Sequence, residues 1–160
     1  MTSVRAVVIT VSDRSASGAR EDRSGPLLVA LLREFAVDVN QPVVVADDPA
    51  AIESALKSAL ETEPDAILTT GGTGISPRDV TPEATKPFLD RELPGIAEAI
   101  RARGRASTPR AALSRGLAGV NGRTLLVNLP GSSGGVRDGM SVLGPLLRHV
   151  ADQLRGGDHE

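Results

Sequence analysis

Short runs of aliphatic and β-branched residues, each ending in a polar or glycine-rich turn, alternate in this chain with segments of helical periodicity. Four such runs predict strands: Val4–Val11, Pro42–Ala46, Ala66–Thr70 and Arg123–Leu129. Continuous apolar runs of this length are typical of strands that are buried on both faces of a parallel sheet. The runs therefore predict a parallel sheet at the centre of the fold.

The segments between these strands carry helical spacing and helix-start signals, with Pro in the first turn or a capping residue before it. The predicted helices are Leu27–Phe35, which Ser24-Gly25-Pro26 opens, a segment that starts at Asp48-Pro49, a segment with Thr81-Pro82 as N-cap and first position, Pro94 to about Gly104, and about Val136–Leu154. Strands that alternate with helices predict an α/β fold, a three-layer, mostly parallel sheet with helices on both faces. Since there is no repeat or linker, residues 1–160 are expected to form a single domain.

Composition narrows the classes of partner. The net charge is −2 and the chain has two Phe but neither Tyr nor Trp, so neither a basic field nor stacking side chains favour a nucleic acid. The absence of Cys excludes disulfides and thiolate metal sites. The first apolar run is too short for a signal sequence or a membrane span. We therefore expect a cytoplasmic protein with no membrane partner.

Polar clusters follow all four predicted strands: Ser12-Asp13, Asp47-Asp48, Gly71–Gly74 and Pro130–Gly135. In open parallel α/β sheets, ligands bind beyond the carboxyl ends of the strands. The coincidence of four such clusters predicts one ligand site at this edge of the sheet.

Two of these clusters are glycine-rich and suit an anion. In Thr70-Gly71-Gly72-Thr73-Gly74, backbone N–H groups can approach an anion without interference from Cβ atoms, although a tight turn with no ligand is an equal alternative. The pattern is neither the dinucleotide fingerprint nor a P-loop. The second turn leads into the N-terminus of the last predicted helix, which also favours negative charge. Two such turns suit a ligand with more than one phosphate.

Carboxylates near these turns are candidates to hold a divalent metal ion that bridges phosphates. Asp79 follows Arg78 shortly after the first turn, and its alternative role is an exposed carboxylate paired with that arginine. Asp47, at the end of a strand, is a better candidate than Asp48, which we expect to be an N-cap. The basic stretch of Arg101, Arg103, Arg105 and Arg110 is expected to be a solvated surface.

The second turn also fits the G-x-S-x-G pattern of serine hydrolases, with Ser133 as nucleophile. The chain has only two histidines, His149 and His159. His149 lies about four turns along the helix that Ser133 would start as a nucleophile, and His159 is in the C-terminal tail. Neither is placed to activate Ser133, so the hydrolase interpretation is rejected.

The stretch TTGGTG-ISP-RDVTPEAT, residues 69–85, closely resembles the signature of the molybdopterin adenylyltransferases, the MogA/MoaB-type proteins of molybdenum-cofactor biosynthesis. Further matching segments, in the family's order, are Ser12-Asp13-Arg14, Asp22-Arg23-Ser24-Gly25-Pro26, Leu93-Pro94-Gly95 and Asn128-Leu129-Pro130-Gly131. The resemblance covers about residues 4–154.

The resemblance implies a trimeric enzyme that joins molybdopterin to the adenylyl group of ATP, with Mg²⁺, and that works beside other molybdenum-cofactor biosynthesis proteins. By motif, Asp47 and Asp79 match the two catalytic carboxylates, which would also hold Mg²⁺. The segments Ser12-Asp13, Gly71-Gly72-Thr73-Gly74 and Asn128-Leu129-Pro130-Gly131 match ligand-binding segments of the family. Thr70, Arg78 and Ser132, beside them, are further candidates to bind the substrate or the nucleotide.

One departure from the family keeps a second interpretation open. The family often has Pro and Lys in an NLPGxPK-like pattern, where this chain has Ser133 and Gly134. The nearest cation is Arg137. The alternative function is therefore a non-catalytic, molybdopterin-binding homologue of the MoaB type.

Overall fold

The computed structural model describes residues 2–158. Met1, His159 and Glu160 lie outside the described part. The strands are β1 (Val4–Val11), β2 (Val37–Val39), β3 (Val43–Val45), β4 (Ala66–Thr70), β5 (Arg91–Glu92), β6 (Ala118–Asn121) and β7 (Thr124–Leu129). The α-helices are α1 (Asp13–Ala16), α2 (Ser24–Glu34), α3 (Pro49–Glu61), α4 (Thr81–Thr85), α5 (Pro94–Ser107) and α6 (Ser133–Leu154). Two 3₁₀ helices span Lys86–Phe88 and Pro109–Leu113.

The seven strands form one sheet in the order β2-β1-β4-β7-β6-β5, with β3 also paired to β1. β1 pairs in parallel with β2, β3 and β4, and β4 pairs in parallel with β7. The β5–β6 and β6–β7 pairs are antiparallel. The sheet is thus mostly parallel, as predicted, with an antiparallel edge that was not predicted.

The pleat of the central strands distributes their side chains between two cores, because successive residues of a strand point to opposite faces. One set packs with α2, α5 and α6: Val8, Leu68 and Val127. The other set packs with α3 and α4: Ile9, Ile67 and Leu126. Helices therefore cover both faces, which confirms the three-layer α/β fold.

Two of the predicted strands are present but were predicted one residue too wide at one or both ends. The strand predicted at Pro42–Ala46 is the short β3 at the sheet edge, where Val43 and Val44 are 48% and 37% exposed. Arg123 belongs to the tight turn of the β6–β7 hairpin, in which Asn121 pairs with Thr124. β2, β5 and β6 were not predicted, since two to four residues carry too little periodicity to be read from sequence.

Some helix starts also differ. The last helix begins at Ser133 rather than Val136, because the Ser132 hydroxyl accepts a hydrogen bond from Gly135 N–H and caps it. Thr81 is not an N-cap; it lies inside α4, and its hydroxyl donates to the Gly71 carbonyl. Asp48 does cap α3, as predicted, by accepting from Ala51 N–H. Within residues 2–158, none of the helices has the length and apolar character needed to span a bilayer.

Candidate functional site

The carboxyl ends of β1, β3, β4 and β7 meet at one edge of the sheet, because all four strands run parallel. The loops that follow them enclose a cavity of about 550 Å³, hereafter the polar cavity. Eight of the predicted site residues line it: Ser12, Asp47, Thr70, Gly71, Gly72, Asp79, Gly131 and Ser132. The clustering predicted from the four strand ends is therefore present in the fold.

Asp13 and Asp47 join two of these loops by reciprocal hydrogen bonds. Asp13 N–H donates to Asp47 Oδ2 at 2.9 Å, and Asp47 N–H donates to Asp13 Oδ1 at 2.8 Å. The remaining Asp13 oxygen accepts from Arg78 Nη1 at 2.8 Å. Asp13 and Arg78 therefore act on the cavity through Asp47 and through their charge, since neither lines it.

Asp47 is held in an environment that disfavours its negative charge. Burial raises the pKa of this carboxyl above its ordinary value, and the neighbouring negative charges of Asp13 and Asp79 raise it further. The hydrogen bond from Asp13 N–H and the positive charge of Arg78 lower the pKa but do not cancel the increase. A cation in the polar cavity would relieve this repulsion.

This donor set fits Mg²⁺ that arrives with phosphate groups. Among residues 2–158, no group of three or more Asp, Glu, His or Cys side chains gathers to hold a metal. Mg²⁺, however, is commonly bound by one or two carboxylates, with water and substrate phosphates completing its shell. Asp47 and Asp79, both lining the polar cavity and close enough to repel each other, meet that requirement.

The first glycine turn is tied tightly to its surroundings. Gly71 has φ +102°, a conformation that favours glycine, and its N–H donates to the Leu129 carbonyl at 3.0 Å. Its own carbonyl accepts from the Thr81 hydroxyl at 3.0 Å. An added Cβ would lie 2.3 Å from the Val11 carbonyl oxygen. The turn is therefore fixed between β1, β7 and α4.

The two glycine turns also pack against each other. The Thr70 hydroxyl donates to the Pro130 carbonyl at 2.7 Å. A Cβ on Gly131 would lie 3.1 Å from the Gly71 Cα, so the backbones are in close contact. Small residues at both positions let the two turns face a single ligand.

Unpaired amides make these turns suitable for an anion. Within residues 2–158, the N–H groups of Gly72, Thr73 and Gly74 donate to no protein acceptor. The first turn of α6, which starts at Ser133, also exposes N–H groups that a helix cannot satisfy internally. Together they form a surface on which phosphate oxygens can accept hydrogen bonds.

A second cavity, of about 400 Å³, adjoins the first and shares Ser132 with it. It is hereafter the apolar cavity. Its wall includes small and aliphatic residues of α5, the second 3₁₀ helix and the turn after β7: Ile100, Gly104, Ala111, Leu113 and Pro130. Thr73 and Gly74 line this cavity and not the polar one, so the first glycine turn separates the two.

The structure places the Asn128 side chain inside the protein. Asn128 is 3% exposed. Its Nδ2 donates to the hydroxyls of Thr69 and Thr85, and its Oδ1 accepts from Leu117 N–H. Asn128, predicted to bind ligand, therefore stabilises the strands and the helix beneath the site. Pro130 and the residues after it line the cavities instead.

Two side chains near the site were not among the predicted site residues. Asp22 lines the polar cavity and accepts hydrogen bonds from the Thr10 hydroxyl and from Gly25 N–H. Arg115, which no motif singles out, contacts the loop that carries Asp79. Only the family-like segment from Asp22 to Pro26 could have indicated the first, and nothing in the sequence indicated the second.

The geometry is consistent with rejection of a serine hydrolase. Ser133 is the first residue of α6 and is exposed. His149 is exposed on the same helix, ~24 Å further along at 1.5 Å per residue. Within the described chain, no histidine lines either cavity.

We expect Asp47→Asn to leave the protein at least as stable as the wild type at pH 7. Folding raises the pKa of the Asp47 carboxyl above its value in the unfolded chain, about 4. The ionised carboxyl therefore lowers the free energy of unfolding, and this loss develops as the pH rises from the unfolded pKa through the folded pKa. The amide oxygen of Asn can still accept from Asp13 N–H. Urea unfolding as a function of pH should show the two proteins converging below about pH 4. A variant that is clearly less stable at pH 7 would contradict this expectation.

Comparison with known proteins gives a consistent result. Residues 7–149 match the sequence model of a family described as "Probable molybdopterin binding domain". The molybdenum cofactor biosynthesis bifunctional protein of Synechococcus elongatus is 44% identical over 98% of this chain, which spans about half (49%) of that relative. The molybdopterin adenylyltransferase of Helicobacter pylori is 35% identical over 98% of this chain and 90% of its own length. The solved structure of a molybdopterin biosynthesis protein from Mycobacterium abscessus superposes with a TM-score of 0.90, and the two sequences are 48% identical. The match covers 94% of this chain and 96% of the Mycobacterium abscessus chain.

Proposed function

The chain belongs to the molybdopterin-binding domain family, and from this premise we propose that it transfers the adenylyl group of ATP to molybdopterin and releases pyrophosphate. The observation that carries the proposal is the polar cavity, where two carboxylates, Asp47 and Asp79, face two glycine turns with unpaired amides. That combination suits a reaction between two phosphate-bearing substrates.

In the proposed reaction, an oxygen of the terminal phosphate of molybdopterin forms a bond with the α-phosphorus of ATP. The bond between that phosphorus and the oxygen leading to the β-phosphate breaks, and pyrophosphate leaves with the electron pair. A phosphate monoester is already ionised at neutral pH, so the chain needs no general base. This is in keeping with a polar cavity that, within the described residues, is lined by carboxylates and arginines but by no histidine.

The protein's task is to hold two anions in contact. The unpaired amides of Gly72, Thr73 and Gly74, with those at the start of α6, would donate to phosphate oxygens and orient them. Asp47 and Asp79 would hold Mg²⁺, which supplies electrostatic stabilisation for the negative charge of the leaving pyrophosphate. Arg78 neutralises Asp13 and so limits the negative charge near the incoming phosphates.

In this proposal each of the two cavities binds one substrate. ATP carries three phosphates and needs the carboxylates and those parts of the two glycine turns that border the polar cavity, Gly71-Gly72 and Gly131-Ser132-Ser133. The ring system of molybdopterin would lie in the apolar cavity, whose wall contains Ile100, Ala111 and Leu113 to pack against it and Arg101, Ser107 and Asp138 to bond its polar atoms. Ser132 lies at the boundary, where the molybdopterin phosphate would meet the α-phosphate of ATP.

Incubation of the purified protein with ATP, Mg²⁺ and molybdopterin should release pyrophosphate, measured by a coupled assay, and form an adenylylated pterin, measured by mass spectrometry. Release should require all three components. No product above the background without protein would contradict the enzymatic proposal. Light scattering on the same preparation checks the homotrimer that we propose from the family resemblance.

The substitution of Ser133 and Gly134 for the family's Pro and Lys favours one other candidate, a protein that binds molybdopterin without turnover. Gly134 is exposed, and a Cβ there would contact nothing within 4 Å. Gly134→Lys can therefore be made without a clash. If wild type binds pterin but releases no pyrophosphate, and Gly134→Lys does release it, the binding-only candidate is supported.

A further inference from the structure

The loop between β4 and α4 carries Asp79 but has few contacts at its tip. Ile75 is 68% exposed, and the next three residues are exposed as well. Two hydrogen bonds close a small turn, from Asp79 N–H to the Ser76 carbonyl at 2.9 Å and from Ser76 N–H to Asp79 Oδ2 at 3.0 Å. These bonds orient Asp79 within the turn. The turn is also joined to the Asp47 side of the polar cavity by the Arg78–Asp13 ion pair, but the Arg78 side chain is 77% exposed, so that link is screened by solvent and holds the turn only weakly.

Arg115, in the segment before β6, supplies contacts to both ends of this loop. Its backbone N–H donates to the Thr73 carbonyl, its Nε to the Gly74 carbonyl and its Nη2 to the Asp79 carbonyl, each at 2.8 Å. Its Nη1 pairs with Glu83 on α4. A guanidinium is planar and its donors point in fixed directions, so it sets the separation of the two carbonyls that it joins.

The segment that carries Arg115 is itself anchored to the core. Arg101, on α5, donates from Nη1 to the Gly116 carbonyl at 3.0 Å and is only partly exposed, which corrects the expectation that it is a solvated surface residue. Leu117 N–H donates to Asn128 Oδ1 on β7 at 3.1 Å. A Cβ on Gly116 would lie 2.7 Å from the Asn128 carbonyl oxygen, so this segment lies directly against β7. Arg115 therefore links the exposed loop to the rigid sheet.

We propose that Arg115 is a positioning residue that holds the Asp79 carboxylate at its place opposite Asp47. Arg115 lines neither the polar nor the apolar cavity, so it acts through Asp79 and not on a substrate. Lysine cannot replace it, because one ammonium group cannot bond both carbonyls along the directions that Nε and Nη2 take. The consequence for catalysis rests on the proposed function, whereas the consequence for the loop does not.

A double-mutant cycle tests the catalytic consequence. We expect Arg115→Gln to lower kcat by about 10²-fold, the effect of a small displacement of a catalytic group, while KM for ATP changes by less than about 3-fold. Since Arg115 acts through Asp79, Arg115→Gln combined with Asp79→Asn should be within about 3-fold of Asp79→Asn alone. Losses that multiply in the double variant would show that Arg115 acts independently and would overturn the proposal.

Hydrogen exchange tests the positioning without any turnover. In ¹⁵N-labelled protein, exchange protection of the Ser76 and Asp79 amides should fall by about 10-fold or more in Arg115→Gln, because the loop opens more often. Arg105→Gln, which removes an exposed arginine of α5 that lines neither cavity, should leave it unchanged. Arg115→Lys, which keeps the charge and the aliphatic stem, should show the same loss and replaces the Gln variant if that one does not fold. If the wild type releases no pyrophosphate, the proposed function fails, but hydrogen exchange still tests the role of Arg115. Unchanged protection of the Ser76 and Asp79 amides in the Arg115 variants would overturn that role.

Discussion

Asp79→Asn is expected to lower the rate of pyrophosphate release by about 10²–10³-fold, the usual cost of removing one electrostatic stabiliser of a transition state. The substitution replaces a negatively charged oxygen in the polar cavity by a neutral amide of the same shape. Asp47 then remains as the single carboxylate of the pair proposed to hold Mg²⁺. The measurement is kcat and kcat/KM for pyrophosphate release at saturating molybdopterin.

The fold should be unaffected by this change. The amide oxygen of the introduced asparagine can accept the hydrogen bond from Ser76 N–H, and the backbone bonds of residue 79 to Ser76 and Arg115 do not involve its side chain. The melting temperature should therefore stay close to that of the wild type. A rate that is unchanged while the fold is intact would refute the role of Asp79.

Asp48→Asn is a matched control for the same chemical change. Asp48 lies one residue after Asp47 but does not line the polar cavity, and it caps α3 by accepting from Ala51 N–H. Asn is as good an N-cap as Asp, so neither stability nor turnover should change appreciably. A comparable loss of rate in this control would show that general electrostatics, and not a specific carboxylate, governs the reaction.

The location of the site could be predicted from the sequence because it depends on strand direction alone. Buried parallel strands are recognised by their continuous apolar runs, and all their carboxyl ends lie at the same edge. Asp47 and Asp79, which are 32 positions apart in the sequence, therefore line one cavity as expected. The location of the site follows from strand direction without knowledge of the strand register or of the direction of each side chain.

Roles that depend on register could not be predicted in this way. Asn128 lies one residue before the end of β7, close to a glycine turn, as a ligand-binding residue would. In the sheet, however, Asn128 is the register partner of Thr69, and its amide meets the hydroxyls of Thr69 and Thr85 inside the protein. Which face a side chain takes follows from pairing with the neighbouring strand, which is not visible in the sequence of either strand alone.

Arg115 was missed for a related reason. Its partners Gly74 and Asp79 are 41 and 36 residues away. They meet because β6 returns antiparallel to β7, and β6 has only four residues, of which one is Gly. Asn121-Gly122 is a turn signal, but a strand so short carries no recognisable alternation, so the sequence does not show which residues β6 pairs with or what Arg115, three residues before it, contacts.

Gly71→Ala is expected to lower the free energy of unfolding by about 3–4 kcal/mol, from backbone strain and overpacking together. Gly71 has φ +102°, and the added methyl group would lie 2.3 Å from the Val11 carbonyl oxygen, an atom of the central strand β1. The residue cannot move away easily, because its N–H is bonded to Leu129 and its carbonyl to Thr81. Urea unfolding measures the loss.

Gly18→Ala separates the two causes. Gly18 also has a positive φ, +79°, but an added Cβ would have no neighbour within 4 Å. This control carries the backbone strain without the clash, and we expect it to cost only about 1–2 kcal/mol. If Gly71→Ala costs no more than Gly18→Ala, the turn can shift away from Val11. In that case the amides of the turn would take their phosphate-binding positions only when the ligand binds. A clearly larger cost at Gly71 instead means that close packing against β1 fixes the turn, so that its unpaired amides are already in place when phosphate arrives.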